Sequence, residues 1–185
     1  MPVSGGSMIE VTVDRIQVNL VSQSRVVILR ETNGNRFLPI WIGQFEAEAI
    51  AMFLQEVEAV RPMTHDLLRN LLQGLGAVLE RVEIHDLRDD VFYARLMIRN
   101  GETQIEVDSR PSDAIALAIR VHAPIFIAEA VMDRAGTTPE TDIREKREAS
   151  ADAGEESPDD RLDVFKDFIQ HLDMGDEPPE KKPKS

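Results

Sequence analysis

The 185-residue chain has no cysteine, and no lysine before residue 136. The first absence excludes disulfides and thiolate metal sites. The second leaves 13 arginines as the only strong bases of residues 1–135. Guanidinium forks suit phosphate and carboxylate, although codon bias alone yields the same count and is the simpler reading. No apolar run approaches the ~20 residues needed to span a bilayer. The opening MPVSGGSM lacks the basic and apolar regions of a secretory signal, and Met8 is an alternative start. A soluble, cytoplasmic protein with no membrane partner is the expectation. P-loop, GxGxxG, GxSxG and HExxH patterns are also missing, which removes the usual support for ATPase, dehydrogenase, serine-hydrolase and zincin readings.

Charge is plentiful and unevenly divided. The formal net charge is −13, with −6 in residues 1–135 (19 acids, 13 bases) and −7 in residues 136–185 (15 acids, 8 bases). Such acidity argues against ordinary duplex-DNA binding, whose affinity comes largely from phosphate neutralisation.

Two stretches repeat. NGNRFLPIWIGQFEAEAIAMFL (33–54) and NGETQIEVDSRPSDAIALAIRV (100–121) align without a gap at an offset of 67, with five of 22 positions identical. Conservative positions include Ile40/Val107 and Glu46/Asp113. The copies part at the turn from strand to helix. One carries Trp41-Ile42-Gly43-Gln44-Phe45, the other Asp108-Ser109-Arg110-Pro111-Ser112.

Periodicity fills in the elements. Alternation predicts strands over 9–20, 25–31, 36–42, 79–87, 91–99 and 102–108. Asn33-Gly34 and Asp89-Asp90 read as tight turns, Asn33-Gly34 because both residues accept positive φ cheaply. Helical spacing predicts helices over 46–58, from Thr64 as N-cap to about Leu75 with Gly76 closing it, and over 113–121 with Ser112 as cap. A short strand (124–127) and helix (129–135) complete the body. The fold class is α+β: a duplicated β-β-β-α unit, with helices packed on a largely antiparallel or mixed sheet. Residues 1–8 read as a flexible N-terminus and 9–135 as the domain. Residues 136–160 read as a disordered acidic linker, 161–173 as a short amphipathic helix too small to be stable alone, and 174–185 as a solvated tail.

The polar turn is where chemistry is expected. Asp108 ends the polar face of its strand, Arg110 lies in the loop, and Ser112 and Asp113 open a helix whose N–H groups suit a phosphate oxygen. Asp108 and Asp113, with Asp86, are candidate ligands for Mg²⁺ or Mn²⁺; Arg110 would stabilise the charge of a phosphorane. His65-Asp66 and His85-Asp86 add His65 and His85 as acid–base candidates. The same residues have a structural reading, in which Ser112 is a cap, Asp113 complements the helix dipole and Arg110 pairs with Asp108. Trp41 and Phe45 read as core or dimer-interface residues, with base stacking as the other option.

LPIWIGQFEAEAIA, RPMTHDLLRNLL, VEIHDLRDDVFYARL and DSRPSDAIALAIRVHAPIFIAE together resemble the bacterial and plant bifunctional nuclease family over about residues 8–136. The resemblance implies an α+β domain, commonly a homodimer, with DNase and RNase activity. Its most distinctive polar blocks fall here on Thr64, His65 and Asp66, on His85 and Asp86, and on Asp108, Arg110, Ser112 and Asp113. The expected activity is metal-assisted hydrolysis of DNA and RNA, single strands or RNA favoured. The competing reading is a non-catalytic dimeric module that binds a small ligand or protein through the same groove. It draws on the negative charge.

Overall fold

Eleven elements follow one another in the computed structural model, which describes residues 6–19 and 23–138. They are β1 (Met8–Val18), β2 (Arg25–Glu31), β3 (Phe37–Ile42), α1 (Gln44–Leu54), α2 (Thr64–Gly74), β4 (Ala77–Arg88), β5 (Val91–Asn100), β6 (Thr103–Ser109), α3 (Pro111–Val121), β7 (Ile125–Ala128) and α4 (Glu129–Ala135). The β-β-β-α plan occurs twice, with α2 between the copies. Both three-stranded meanders are antiparallel and belong to one sheet of order β3-β2-β1-β7-β4-β5-β6. The short β7 joins them, antiparallel to β1 and parallel to β4. The sheet is therefore mixed.

Period-2 alternation sets which face is buried. Val27 and Leu29, Leu38 and Ile40, Val82 and Ile84, and Ala94, Leu96 and Ile98 form the core together with Ala114–Ala118 of α3. Three alanines in that helical run let α3 lie close to β4 and β5, and α1 and α2 flank it. The segment from α4 to Thr137 bridges β4 and β3. Arg134 of α4 donates to the Leu87 carbonyl at the end of β4 (2.7 Å), while Thr137, just beyond α4, pairs with Phe37 of the edge strand β3. Gly136 and Thr137, expected to open the disordered linker, are therefore tied to the body. The expectations for residues 1–5 and 139–185 lie outside the described residues.

Several boundaries differ from the sequence reading. The β2–β3 connection is a loop over 32–36, closed by the Glu31 N–H on the Arg36 carbonyl (3.0 Å), and neither Asn33 nor Gly34 takes positive φ. The longer loop brings the Arg36 guanidinium to Glu31 (2.9 Å) and to Glu129 of α4 (2.9 Å). In the second copy Gly101 does take φ +60°. α1 stops at Leu54 and Glu56 turns left-handed (φ +55°), which leaves Val57 exposed instead of continuing the helix. Met63, not Thr64, precedes α2, and its N–H donates to Asp66 Oδ2 (3.0 Å).

Asp89 and Asp90 form the two-residue turn between Arg88 and Val91, both at positive φ (+47° and +61°). A left-handed backbone costs a non-glycine residue roughly 1–2 kcal/mol, less for aspartate. Asp90→Gly is therefore expected to raise stability by about 0.5 kcal/mol. The measure is a higher urea midpoint at unchanged slope; an unchanged or lower midpoint refutes it.

Candidate active site at the turn between β6 and α3

Pro111 fixes where α3 begins. Its φ is pre-set for a first helical position and its missing N–H is no loss there. Arg110 thus becomes the N-cap, with extended backbone (φ −69°, ψ 144°). Ser112 is not the cap: it is the second helical residue, is buried, and makes no side-chain capping bond.

The Arg110 side chain is held from two elements. Its Nε donates to Asp113 Oδ2 (2.8 Å) and its Nη2 to Glu46 Oε1 of α1 (2.7 Å). These two carboxylates, Asp113 first, raise the guanidinium pKa further above its ordinary value. Among the described residues Nη1 makes no bond, and the side chain is 66% exposed, so one edge of the fork faces solvent. Glu46 escaped the list of candidates drawn from sequence. Its signal was there, since Glu46 and Asp113 occupy equivalent positions of the repeat, and both grip one arginine.

Behind Asp113 stands His65. Its Nε2 lies 3.2 Å from Asp113 Oδ1, and its side chain is only 7% exposed. An ionised carboxylate only accepts, so the proton is assigned to Nε2. Asp66, the next residue, accepts Nε of Arg120 (2.8 Å). Arg120 is buried and also donates to the carbonyls of Ala116 (2.8 Å) and Ala49 (2.9 Å), with Phe53 beneath its guanidinium. The first turn of α2 is thereby clamped to α3 twice. Burial pushes the Asp66 carboxyl up, but the bonds from Arg120 and the Met63 N–H outweigh it and hold the pKa below the ordinary value.

A cleft of about 260 Å³ opens beside Arg110, lined by Ile40, Trp41, Gly43, Asp90, Phe92 and Ser112. Trp41 and Phe45 are 67% and 79% exposed. They are not core residues of this chain: alternation along β3 turns Ile40 inward and Trp41 outward.

The remaining candidates lie elsewhere. Asp108 is paired in register with Arg95, which salt-bridges Glu83 and Glu106 on the sheet face away from Ala94 and Leu96. Directly paired residues share a face, so Asp108 points away from the core and from Asp113. Among the described residues its side chain has no hydrogen bond or ion pair, and Arg110 does not pair with it. Asp86 is engaged by Arg88, whose hydrogen bond is the main cause lowering its pKa. His85 sits at an irregularity in the β4–β5 ladder, and its buried Nδ1 has no partner. Asp86, Asp108 and Asp113 do not converge, and no group of three His, Asp or Glu among the described residues is placed to hold a metal ion. No helix among them is long and apolar enough to cross a membrane.

A family model described as the bifunctional nuclease domain matches residues 27–140. An uncharacterized protein of Mycobacterium tuberculosis is 42% identical over 167 residues, which is 90% of this chain and 96% of the relative. Bifunctional nuclease 1 of Oryza sativa subsp. japonica is 28% identical over 105 residues (55% of this chain, 32% of the relative). Bifunctional nuclease 2 of Arabidopsis thaliana is 24% identical over 112 residues (59% and 34%). With its model matched from β2 to just past α4, the chain belongs to the bifunctional nuclease domain family.

Proposed function

We propose that the chain hydrolyses phosphodiester bonds of DNA and RNA at the cleft beside Arg110. The observation that carries this is an arginine aimed by two carboxylates, with part of its fork open at the mouth of a cleft. Family membership supports the reaction class, and the geometry supports the following roles. The free N–H groups of Arg110 bind a non-bridging phosphate oxygen and strengthen that bond as charge builds in the phosphorane. Asp113 keeps unused lone pairs beside Arg110 and takes a proton from the attacking water. The water oxygen bonds to phosphorus as the bond to the leaving sugar oxygen breaks, and that oxygen takes up a proton from solvent. His65 is a positioning residue, since its buried ring reaches substrate only through Asp113. Asp86, Asp108 and Asp113, the expected ligands of Mg²⁺ or Mn²⁺, are not gathered among the described residues.

The test is incubation of purified protein with end-labelled single-stranded RNA and DNA, with Mn²⁺ and with chelator. Time-dependent fragments are expected. Intact substrate under both conditions refutes the proposal and leaves the binding-module reading.

We further propose that the protein is a homodimer joined through α2. Leu67, Leu71 and Leu75 recur every fourth residue, so they form one stripe, and they are 61%, 54% and 62% exposed. An ordered apolar stripe, unlike scattered surface leucines, marks an interaction surface. Leu71→Glu is expected to convert a dimer to a monomer in analytical ultracentrifugation; a wild type that sediments as a monomer at micromolar concentration refutes the assignment.

A further inference from the structure

We infer that Trp41 is a stacking platform for an unpaired nucleobase, so that the cleft beside Arg110 takes single-stranded nucleic acid and holds it more by stacking than by charge. This rests on the nucleic-acid reading of the site above. Three observations carry it. A tryptophan left 67% exposed at the rim of a cleft offers an open π face, which every base can use. Arg110 lines the same cleft with Nη1 unbonded, which places a phosphate-binding group beside that face.

The third is charge. Arg110 is outnumbered locally by Glu46 and Asp113, and Asp90 lines the cleft as well. The chain as a whole carries −13. Phosphate neutralisation cannot dominate affinity at such a place. Stacking is a neutral term that acid groups oppose little. Base pairs bury their faces in the duplex, so a stacking platform selects strands whose bases are free. The polymer's charge then enters through about one arginine, and binding should depend only weakly on salt.

Trp41 is the only tryptophan in the chain, so intrinsic emission at the tryptophan band reports this residue alone. The experiment titrates the full-length protein with oligothymidylate and oligouridylate carrying non-cleavable phosphorothioate linkages, and with a duplex hairpin. Quenching by the single strands and not by the hairpin is expected. Anisotropy of a labelled oligomer should show binding weakened about ten- to a hundredfold in Trp41→Ala and much less in Trp41→Phe, since phenylalanine retains a face. The slope of log affinity against log salt should be near −0.7, the value for about one neutralised phosphate on a single strand.

Binding without a change in emission, equal binding by Trp41→Ala, hairpin binding as tight as single-strand binding, or no binding at all overturns the inference. Emission that shifts on dilution of the free protein also overturns it, because a second copy then covers Trp41. The two readings fail separately. Cleavage with a silent Trp41 removes the platform and keeps the nuclease. Quenching and loss in Trp41→Ala without cleavage of ordinary substrate keeps the platform and removes the nuclease.

Discussion

Arg110→Ala lowers cleavage of single-stranded substrate by about a hundred- to a thousandfold, the range found when one pre-aimed donor to a developing oxyanion is removed. The fold survives the change. Arg110 is 66% exposed, and exposed ion pairs contribute about 0–1 kcal/mol, so the thermal midpoint should move by only a few degrees. Arg110→Lys separates charge from geometry. An ammonium cannot span Asp113 and Glu46 while leaving a flat edge for phosphate, so lysine should recover only a small part of the rate. Undiminished cleavage by Arg110→Ala in a folded protein would remove Arg110 from the reaction. Glu46→Gln is the companion variant. If Glu46 aims the fork, its loss lowers the rate without abolishing it.

Arg120→Met carries the largest expected cost to stability. Its side chain is 3% exposed and ties three helices together through Asp66, Ala49 and Ala116. Methionine fills much of the volume but leaves a partly buried carboxylate without its charged partner and two helix carbonyls without their second donor. Breaking a buried pair from one side costs about 3–5 kcal/mol, which lowers the melting temperature by roughly 10 °C. The pH dependence changes too. Asp66 has a depressed pKa, so its contribution is fully present above the ordinary aspartate value of 3.8 and is lost as pH falls through the lower folded value. Without Arg120 burial is less opposed and the carboxyl is no longer held as low, so Asp66 has less stability to lose in acid, and the gap between wild type and variant should narrow as pH falls. Calorimetry across that acid range checks both points, and a midpoint within a degree or two of wild type would show the clamp to be idle.

The repeat and the strands were legible because period 2 and period 3.6 are local properties. Gln104, Glu106 and Asp108 do share one face, as alternation requires. What local pattern does not encode is which face the helices cover, and that decides that Asp108 is remote from Asp113. The same alternation, applied one residue at a time to Ile40-Trp41-Ile42, already turns Trp41 outward; reading the three as one apolar run hid it. Pro111 at the first helical position outranks Ser112 as cap, a rule readable from sequence. Arg120 was not readable. Its partners come from α1 and α2, and nothing near residue 120 announces that they will meet there.

The place of β7 has a consequence for how the chain leaves the ribosome. Met8–Val11 pair with Ile125–Ala128, and Val82–Ile84 pair with Ile125–Ile127. Both meanders are therefore synthesised with one apolar edge unpaired, and the four-residue strand that seals both edges is the last of the seven strands to emerge. At common elongation rates the nascent first half waits on the order of ten seconds for it. Unpaired edges are templates for other chains. The interval before residue 128 is thus the time of greatest exposure to intermolecular pairing, and substitutions that weaken β7 should show first as insoluble product in synthesis.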